Sequence, residues 1–203
     1  MIFTARMRAG SVPDRAPMYL RTMLIEVVMV SIVALGVWRQ GSSLQTIFGE
    51  RWRSAGRVLG DLGWGLALWF VTLMVVSILG SLGGHGGNSN QSIGYLLPRS
   101  GREYFLWICL SVTAGICEEA VFRGYLQRQF SALTRSVPLG IALSSAAFGA
   151  VHTYQGLPRA FVIAMSAILF GLMAECRGSV RPGMIAHAFQ DGIAPVLLKM
   201  VRH

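Results

Sequence analysis

The sequence predicts an all-α fold, a polytopic membrane helix bundle with about six transmembrane helices. Two properties of the composition predict it: 53% of the 203 residues are hydrophobic and only 13% are charged. A soluble domain carries about 25% charged residues, so the deficit indicates that much of the surface faces lipid. The mean hydropathy of +0.54 agrees with this. We expect a single integral membrane domain over residues 1–203, with scaffold helices and loops in 1–100 and the functional core in 101–203.

The net charge and the cysteines narrow the class further. The formal charge is +9, from 18 basic and 9 acidic residues. The basic residues lie mostly between apolar segments, which is typical of loops that face anionic lipid headgroups. Because no basic-aromatic pattern is present, we expect no nucleic-acid partner. The three cysteines, Cys109, Cys117 and Cys176, have no paired spacing, so we predict neither a zinc knuckle nor a disulfide framework.

The first half contains two candidate membrane helices. A helix needs about 20 apolar residues to cross a bilayer core of about 30 Å. The segment from Met18 to Trp38 follows a basic N-terminus and shows no cleavage site, so we interpret it as an uncleaved first helix, although Arg21 and Glu26 interrupt it. Leu62 to Leu82 is the clearest span. The Gly-rich stretch from Gly83 to Asn90 is interpreted as a polar connector.

The second half has shorter apolar segments, each below a comfortable spanning length. Such segments are best explained by a bundle that encloses polar residues, with helix ends buried in protein rather than in lipid. The basic residues divide nearly evenly between the two sides, so charge does not fix the orientation. The four segments are Tyr104 to Cys117, Ser136 to Val151, Ala160 to Ala174, and Gly183 to Leu198.

Two adjacent glutamates, Glu118 and Glu119, follow the uncharged stretch from Tyr104 to Cys117. A carboxylate at membrane depth costs about 2.5–3.5 kcal/mol, so it is retained where it pairs, lines a wet cavity or does chemistry. Glu119 and Arg123 are four residues apart on one helix face and can form an ion pair. Glu118 lies about 100° further around the helix and lacks a basic partner at that spacing. Glu118 is therefore the stronger candidate for a functional residue.

Three further polar residues lie in apolar surroundings: His152, His187 and Asp191. We expect one helix from Tyr104 to about Leu133, followed by a turn near Arg135 to Pro138. Because a helix rises about 1.5 Å per residue, Glu118 lies about 24 Å before this turn and His152 about 21 Å after it. The two residues can then meet on neighbouring antiparallel helices. His187 and Asp191 share a helix face, an arrangement in which a carboxylate orients an imidazole that binds a metal or an oxyanion. A structural hydrogen bond between them is the simpler alternative.

These motifs resemble those of the CPBP intramembrane proteases, which comprise the type II CAAX prenyl endopeptidases and the bacteriocin-processing or abortive-infection proteins. Residues 118–123, Glu-Glu-Ala-Val-Phe-Arg, are similar to the family's EExxxR motif. Residues 148–152, Phe-Gly-Ala-Val-His, are similar to its FxxxH motif, and residues 187–191 to its HxxxN/D motif. The resemblance covers about residues 101–195, and the three motifs occur in the expected order.

The resemblance implies an intramembrane endopeptidase with its catalytic core in 101–203. It implies that Glu118, His152, His187 and Asp191 are catalytic, with Glu119 and Arg123 supporting them. Two mechanisms stay open. Either Glu118 activates a water without a metal, or Glu118, His152 and His187 bind Zn²⁺ and leave one coordination position open. The soluble zincin signature HExxH is absent from the sequence.

The predicted partners are the lipid bilayer and a peptide or protein substrate at the membrane, processed either in the CAAX manner or as a bacteriocin-like peptide. We expect a multi-pass protein of a prokaryotic cell membrane. Two non-enzymatic alternatives remain: an immunity or scaffold protein, and a small proton-coupled transporter, since intramembrane Glu, His and Asp also build proton pathways. Against a transporter, the two halves of the chain differ in pattern, whereas carriers often have repeated halves.

Overall fold

The computed structural model describes residues 14–82 and 95–200. Within these ranges the regular secondary structure is entirely helical, which confirms the predicted all-α class. The connector predicted at Gly83 to Asn90 lies outside the described residues.

Within residues 14–82 the structure has three helices: α1 (Ala16–Arg39), the short α2 (Gln45–Phe48) and α3 (Ala55–Leu82). Helix α1 has a proline in its first turn, where the missing N–H costs no helical hydrogen bond. At about 1.5 Å per residue its 24 residues extend roughly 36 Å, enough to cross a bilayer. The chain then turns at Gly41, whose φ of 72° is a conformation that glycine adopts readily.

The second half forms one long interrupted helix and three more helices. The long helix consists of α4 (Gly101–Glu119), a π-helical segment (Ala120–Leu126) and α5 (Gln127–Thr134). It starts within three residues of the predicted Tyr104 and ends next to the predicted Leu133. The remaining elements are α6 (Val137–Val151), a 3₁₀ turn (Thr153–Gln155), α7 (Leu157–Arg177) and α8 (Arg181–Met200).

Local sequence explains where the long helix begins and ends. The Ser100 side chain caps α4 by accepting a hydrogen bond from the Glu103 backbone N–H at 3.2 Å, a Ser-x-x-Glu pattern typical of helix starts. Arg135 adopts the left-handed conformation, with φ 54°, and this ends α5. Ser136 then caps α6 through the Leu139 N–H. The resulting tight turn makes α5 and α6 neighbours, as the spacing argument required.

The π-helical segment follows the two glutamates directly. Its backbone makes a hydrogen bond from Gln127 N–H to the Phe122 carbonyl, five residues earlier. The Ser144 hydroxyl of α6 donates a second hydrogen bond to the same carbonyl at 2.7 Å. Single π-helical turns within α-helices are frequent at functional sites. This one fixes Glu118, Glu119 and Arg123 on a locally widened helix packed against α6.

Four helices are long and apolar enough to cross a membrane: Ala16–Arg39, Ala55–Ser81, Gly101–Thr134 and Leu157–Arg177. Helix α6 is a shorter apolar helix, and α8 completes six long helical segments among the described residues. Large apolar side chains are exposed on the outer faces, among them Leu24 (65%), Ile32 (66%) and Phe105 (69%). These surfaces suit lipid contact, in agreement with an integral membrane protein.

Helix α8 packs against both α3 and α4, while α1 packs along α4. The α4–α8 approach is close because Gly115 faces α8: a Cβ at this position would lie 2.8 Å from the Ala188 backbone nitrogen. Small residues commonly permit such contacts between membrane helices. The close approach brings the C-terminal end of α4 next to the middle of α8, where the polar residues lie.

Candidate active site

Glu119 is held by an extensive set of contacts at the end of α4. Its side chain is 1% exposed, and its Oε1 accepts a hydrogen bond from Arg123 Nη1 at 2.8 Å. The same oxygen lies 3.1 Å from His187 Nδ1. The Arg123 guanidinium also lies over the Phe148 ring, 4.3 Å from its centroid, which is within cation–π range. Glu119 therefore joins α4, the π-helical segment and α8.

Gly183 of α8 leaves the space that the Glu119 carboxylate occupies. A Cβ at residue 183 would lie 3.0 Å from Glu119 Oε2 and 3.3 Å from the Phe170 ring. Glu119 Oε2 makes no hydrogen bond among the described residues. Glycine at this position thus allows the carboxylate to approach the α8 backbone closely.

His187 lies at the centre of the site, 8% exposed. Its Nε2 is 3.7 Å from Glu118 Oε2 and 3.5 Å from Asp191 Oδ2, while Nδ1 faces Glu119. The rings of Phe148 and Phe170 approach it edge-on, each with a centroid separation of 6.0 Å. Three carboxyl groups therefore surround one imidazole, an arrangement that favours its protonated form, in which both nitrogens donate.

His152 is the C-cap residue of α6. Its Nδ1 lies 2.8 Å from the Phe148 carbonyl oxygen. Because a carbonyl only accepts hydrogen bonds, Nδ1 carries the hydrogen, and the lone pair of the neutral ring is then on Nε2. The His152 ring is 4.6 Å from the Phe148 ring. His152 and His187 thus both contact Phe148.

Asp191 is one turn beyond His187 on α8, and its side chain is 40% exposed. Its backbone carbonyl accepts a hydrogen bond from Trp107 Nε1 of α4 at 2.8 Å, which fixes this turn of α8 to α4. The Glu118 side chain is 13% exposed. The site is therefore closed around Glu119 and more open towards Asp191.

The structure brings five of the six predicted residues into a chain of direct contacts: Arg123, Glu119, His187, Glu118 and Asp191. His152 adjoins this chain through the Phe148 ring. Within residues 14–82 and 95–200, no hydrogen bond or ion pair joins His152 directly to Glu118.

A family model described as type II CAAX prenyl endopeptidase Rce1-like matches residues 100–193. The match covers 94 of the 203 residues, and this segment is similar to the family. The match confirms the resemblance inferred from the three motifs, and it contains all six predicted site residues. It supports a protease, a hydrolase of peptide bonds, carried on a helical membrane bundle. Comparison with curated proteins and with solved structures found no match.

One buried carboxyl group outside the Rce1-like match was not predicted as a candidate. Glu26 of α1 is 6% exposed, on a helix that packs along α4. Its Oε2, like Glu118 Oε2, has no hydrogen bond among the described residues. The sequence contained a signal, since an ionisable residue inside a membrane helix indicates a functional site. We had interpreted Glu26 only as an interruption of the first helix.

The described side chains do not form the zinc site predicted from the resemblance. Among the described residues, no three His, Cys, Asp or Glu side chains are grouped so that they could hold a metal ion. The predicted ligand His187 has Nδ1 on Glu119, and only its Nε2 faces Glu118. The arrangement therefore does not fit the predicted set of Glu118, His152 and His187, and zinc binding stays a prediction.

Proposed function

We propose that the protein is an intramembrane endopeptidase that hydrolyses peptide bonds of membrane-associated substrates through a water activated by Glu118. The observation that supports this most is the contact of Glu118, His187 and Asp191 around one partly open position inside the Rce1-like segment. The substrate class that fits is a peptide segment close to the membrane, processed in the CAAX manner or as a bacteriocin-like peptide.

The first step is the attack of water on the scissile carbonyl. Glu118 Oε2 is buried and has no hydrogen-bond partner among the described residues, so it has a free lone pair for the proton of a water that enters the site with the substrate. As the water oxygen bonds to the carbonyl carbon, its proton passes to the Glu118 carboxylate and a tetrahedral oxyanion forms. General base catalysis of this kind contributes about 10²–10⁴-fold. The unprotonated Nε2 of His152 is a second acceptor that orients the same water.

The second step is the collapse of the intermediate. The oxyanion is stabilised by the Nε2–H of protonated His187, whose Nδ1–H is held by Glu119 at 3.1 Å. One such donor contributes about 3–4 kcal/mol in soluble enzymes. When the C–N bond breaks, the proton on Glu118 passes to the leaving amine, and Glu118 returns to its ionised form. Asp191 balances the charge of His187 throughout.

The test is cleavage of a membrane-inserted peptide library by purified protein in liposomes. We expect Glu118→Gln to lower kcat by about 10²–10⁴-fold, and His152→Ala to lower it less, because a general base contributes that range. Glu50→Gln is the matched control: Glu50 is a surface carboxylate whose pKa is lowered by Arg57, 2.8 Å away. It should cleave like the wild type. Equal cleavage by Glu118→Gln and the wild type would exclude the proposed mechanism.

The same preparation tests the zinc alternative. Cleavage that persists after stringent chelation supports the metal-free mechanism. Cleavage that is lost on chelation and restored by Zn²⁺ supports the metal mechanism instead. If the protein cleaves no peptide either after chelation or with Zn²⁺ added, and the liposomes take up protons, the transporter alternative is favoured.

A further inference from the structure

Helix α8 contains a proline one turn after Asp191. Pro195 lies inside α8 and is fully buried. In an α-helix the backbone N–H of residue 195 would donate a hydrogen bond to the carbonyl of residue 191, four positions earlier. Proline has no N–H, and its ring also crowds that carbonyl. The backbone carbonyl of Asp191 therefore lacks the donor that its own helix would normally supply.

Trp107 of α4 supplies a donor in its place. Its Nε1–H donates a hydrogen bond to the Asp191 carbonyl oxygen at 2.8 Å, a normal length for such a bond. A proline is tolerated in a membrane helix where a neighbouring helix satisfies the backbone group that it frees. Trp107 and Pro195 thus form a functional pair: Pro195 removes a helical hydrogen bond from Asp191, and Trp107 replaces it from the adjacent helix.

The Trp107 ring is itself held in place. The ring of Tyr19 on α1 meets it edge to face, with the two centroids 5.6 Å apart. Tyr19 is 1% exposed, and its hydroxyl donates a hydrogen bond to the Leu96 carbonyl. An aromatic contact of this kind favours one orientation of the two rings. The indole N–H is therefore directed at α8 by a fixed ring.

The turn of α8 from residue 187 to residue 191 contacts α4 at both ends. At one end, Gly115 of α4 permits a close approach, since a Cβ there would lie 2.8 Å from the Ala188 backbone nitrogen. At the other end is the hydrogen bond from Trp107 to the Asp191 carbonyl. The same turn carries His187 Nε2 and Asp191 Oδ2, 3.5 Å apart. The position of both groups thus depends on these two contacts.

We propose that Trp107 is a positioning residue of the active site. By satisfying the carbonyl that Pro195 leaves free, it keeps the turn of α8 that carries Asp191 in its helical position. A backbone carbonyl without a donor inside a helix interface is costly, so loss of the indole N–H displaces this turn, and with it Asp191 and His187. The role rests on the proposed function, because Trp107 acts on the reaction only through these two residues.

Removal of the indole N–H is the first test. Trp107→Phe keeps an aromatic ring next to Tyr19 and removes the donor. Trp69→Phe is the matched control: the Trp69 ring also packs on α8, 4.9 Å from the Phe189 ring, but its Nε1 has no hydrogen bond among the described residues. We expect Trp107→Phe to lower kcat for liposome cleavage about 10-fold, since small displacements of reacting groups have effects of at least this size, with KM unchanged. Trp69→Phe should match the wild type.

A second substitution separates positioning from packing. In Pro195→Ala the backbone N–H of residue 195 can donate to the Asp191 carbonyl within α8, so this carbonyl has a partner with or without Trp107. We expect Trp107→Phe to lower kcat about 10-fold when residue 195 is proline and less than about 2-fold in the Pro195→Ala background, because the two substitutions act on one carbonyl. Each assay is run well below the melting temperature of the variant, so that folded proteins are compared.

The outcomes separate this inference from the proposed function. Wild-type kcat in Trp107→Phe, alongside a loss in Glu118→Gln, would refute the role of Trp107 and leave the protease mechanism standing. Equal losses from Trp107→Phe in both backgrounds, or an equal loss in Trp69→Phe, would also refute it and assign Trp107 to packing. Undiminished cleavage by Glu118→Gln would remove the proposed function itself, and the role of Trp107 in catalysis with it.

Discussion

Glu118 and Glu119 are adjacent in sequence but lie in different surroundings. Glu119 is 1% exposed, with Arg123 at 2.8 Å and His187 at 3.1 Å from the same oxygen. Glu118 is more exposed, and its nearest ion-pair partner is His187 at 3.7 Å. Among the described residues the Oε2 atoms of both glutamates lack a hydrogen bond, so the difference between them is that Glu119 is paired through Oε1 with a guanidinium and an imidazole.

This difference shows how a helix can carry structure and chemistry at consecutive positions. Side chains one residue apart point about 100° away from each other, so Glu119 faces Arg123 while Glu118 points away from it. His187 connects the two, since Nδ1 faces Glu119 and Nε2 faces Glu118. The buried Glu119 thereby orients the imidazole that also contacts Glu118.

The largest expected effect is a loss of stability when Glu119 loses its partner Arg123. Arg123→Met removes the partner of a buried carboxylate and should lower the free energy of unfolding by about 3–5 kcal/mol, because an uncompensated buried charge remains. Thermal unfolding in detergent measures it. The double variant Glu119→Gln/Arg123→Met should recover part of the loss. If Glu118→Gln lowers the melting temperature as much as Arg123→Met does, the two glutamates do not differ as described.

The second-largest effect is expected on activity, in a variant of His187, the residue that contacts both glutamates. His187→Gln keeps a side-chain donor but cannot contact Glu119 and Glu118 together as a charged ring. We expect kcat to fall by about 10²–10³-fold, the cost of losing one oxyanion donor, with a smaller change in stability than Arg123→Met causes. Single-turnover cleavage in liposomes measures the chemical step. Wild-type kcat in this variant would contradict a role for His187 in the reaction.

The smallest effect is expected for Gly183→Ala. A Cβ there would lie 3.0 Å from Glu119 Oε2, and overpacking of this kind costs about 1–3 kcal/mol. The gain in helix propensity from Gly to Ala offsets about 1 kcal/mol. We therefore expect a small drop in melting temperature and a clear drop in kcat, as Glu119 shifts His187. Gly192→Ala, where a Cβ meets only Ile108 at 3.5 Å, is the matched control: it has the same gain in helix propensity without the close contact, so it should leave kcat unchanged and not lower the melting temperature.

Much of the fold followed from apolar segments and their ends. The long helix was predicted from Tyr104 to about Leu133 and runs from Gly101 to Thr134, because Ser100 and the turn at Arg135 are local signals. The π-helical segment was not predicted. It depends on packing against Ser144, and the spacing of apolar residues in the sequence does not indicate it. About six spans were predicted, and four of the described helices meet the length and hydropathy required.

The candidate residues were found from motifs, but their partners were not. Spacing gave the Glu119–Arg123 pair, since it lies within one helix. The contacts of His187 with both glutamates depend on how closely α8 packs on α4, which Gly115 permits and periodicity does not reveal. Glu26 was missed because it is distant in sequence from the motifs, and its burial follows from the packing of α1 along α4.

The position of the Phe148 ring affects the strength of electrostatic interactions in the site. The Arg123 guanidinium lies 4.3 Å from its centroid, and the two histidine rings lie 4.6 and 6.0 Å from it. The ring excludes water from the space beside the guanidinium and the imidazoles, where water would otherwise screen the charge of Arg123. With low local permittivity, an electrostatic energy at a given distance rises several-fold over its value in water. A single hydrocarbon ring thus extends the reach of the Arg123 charge towards the place where negative charge develops during the reaction.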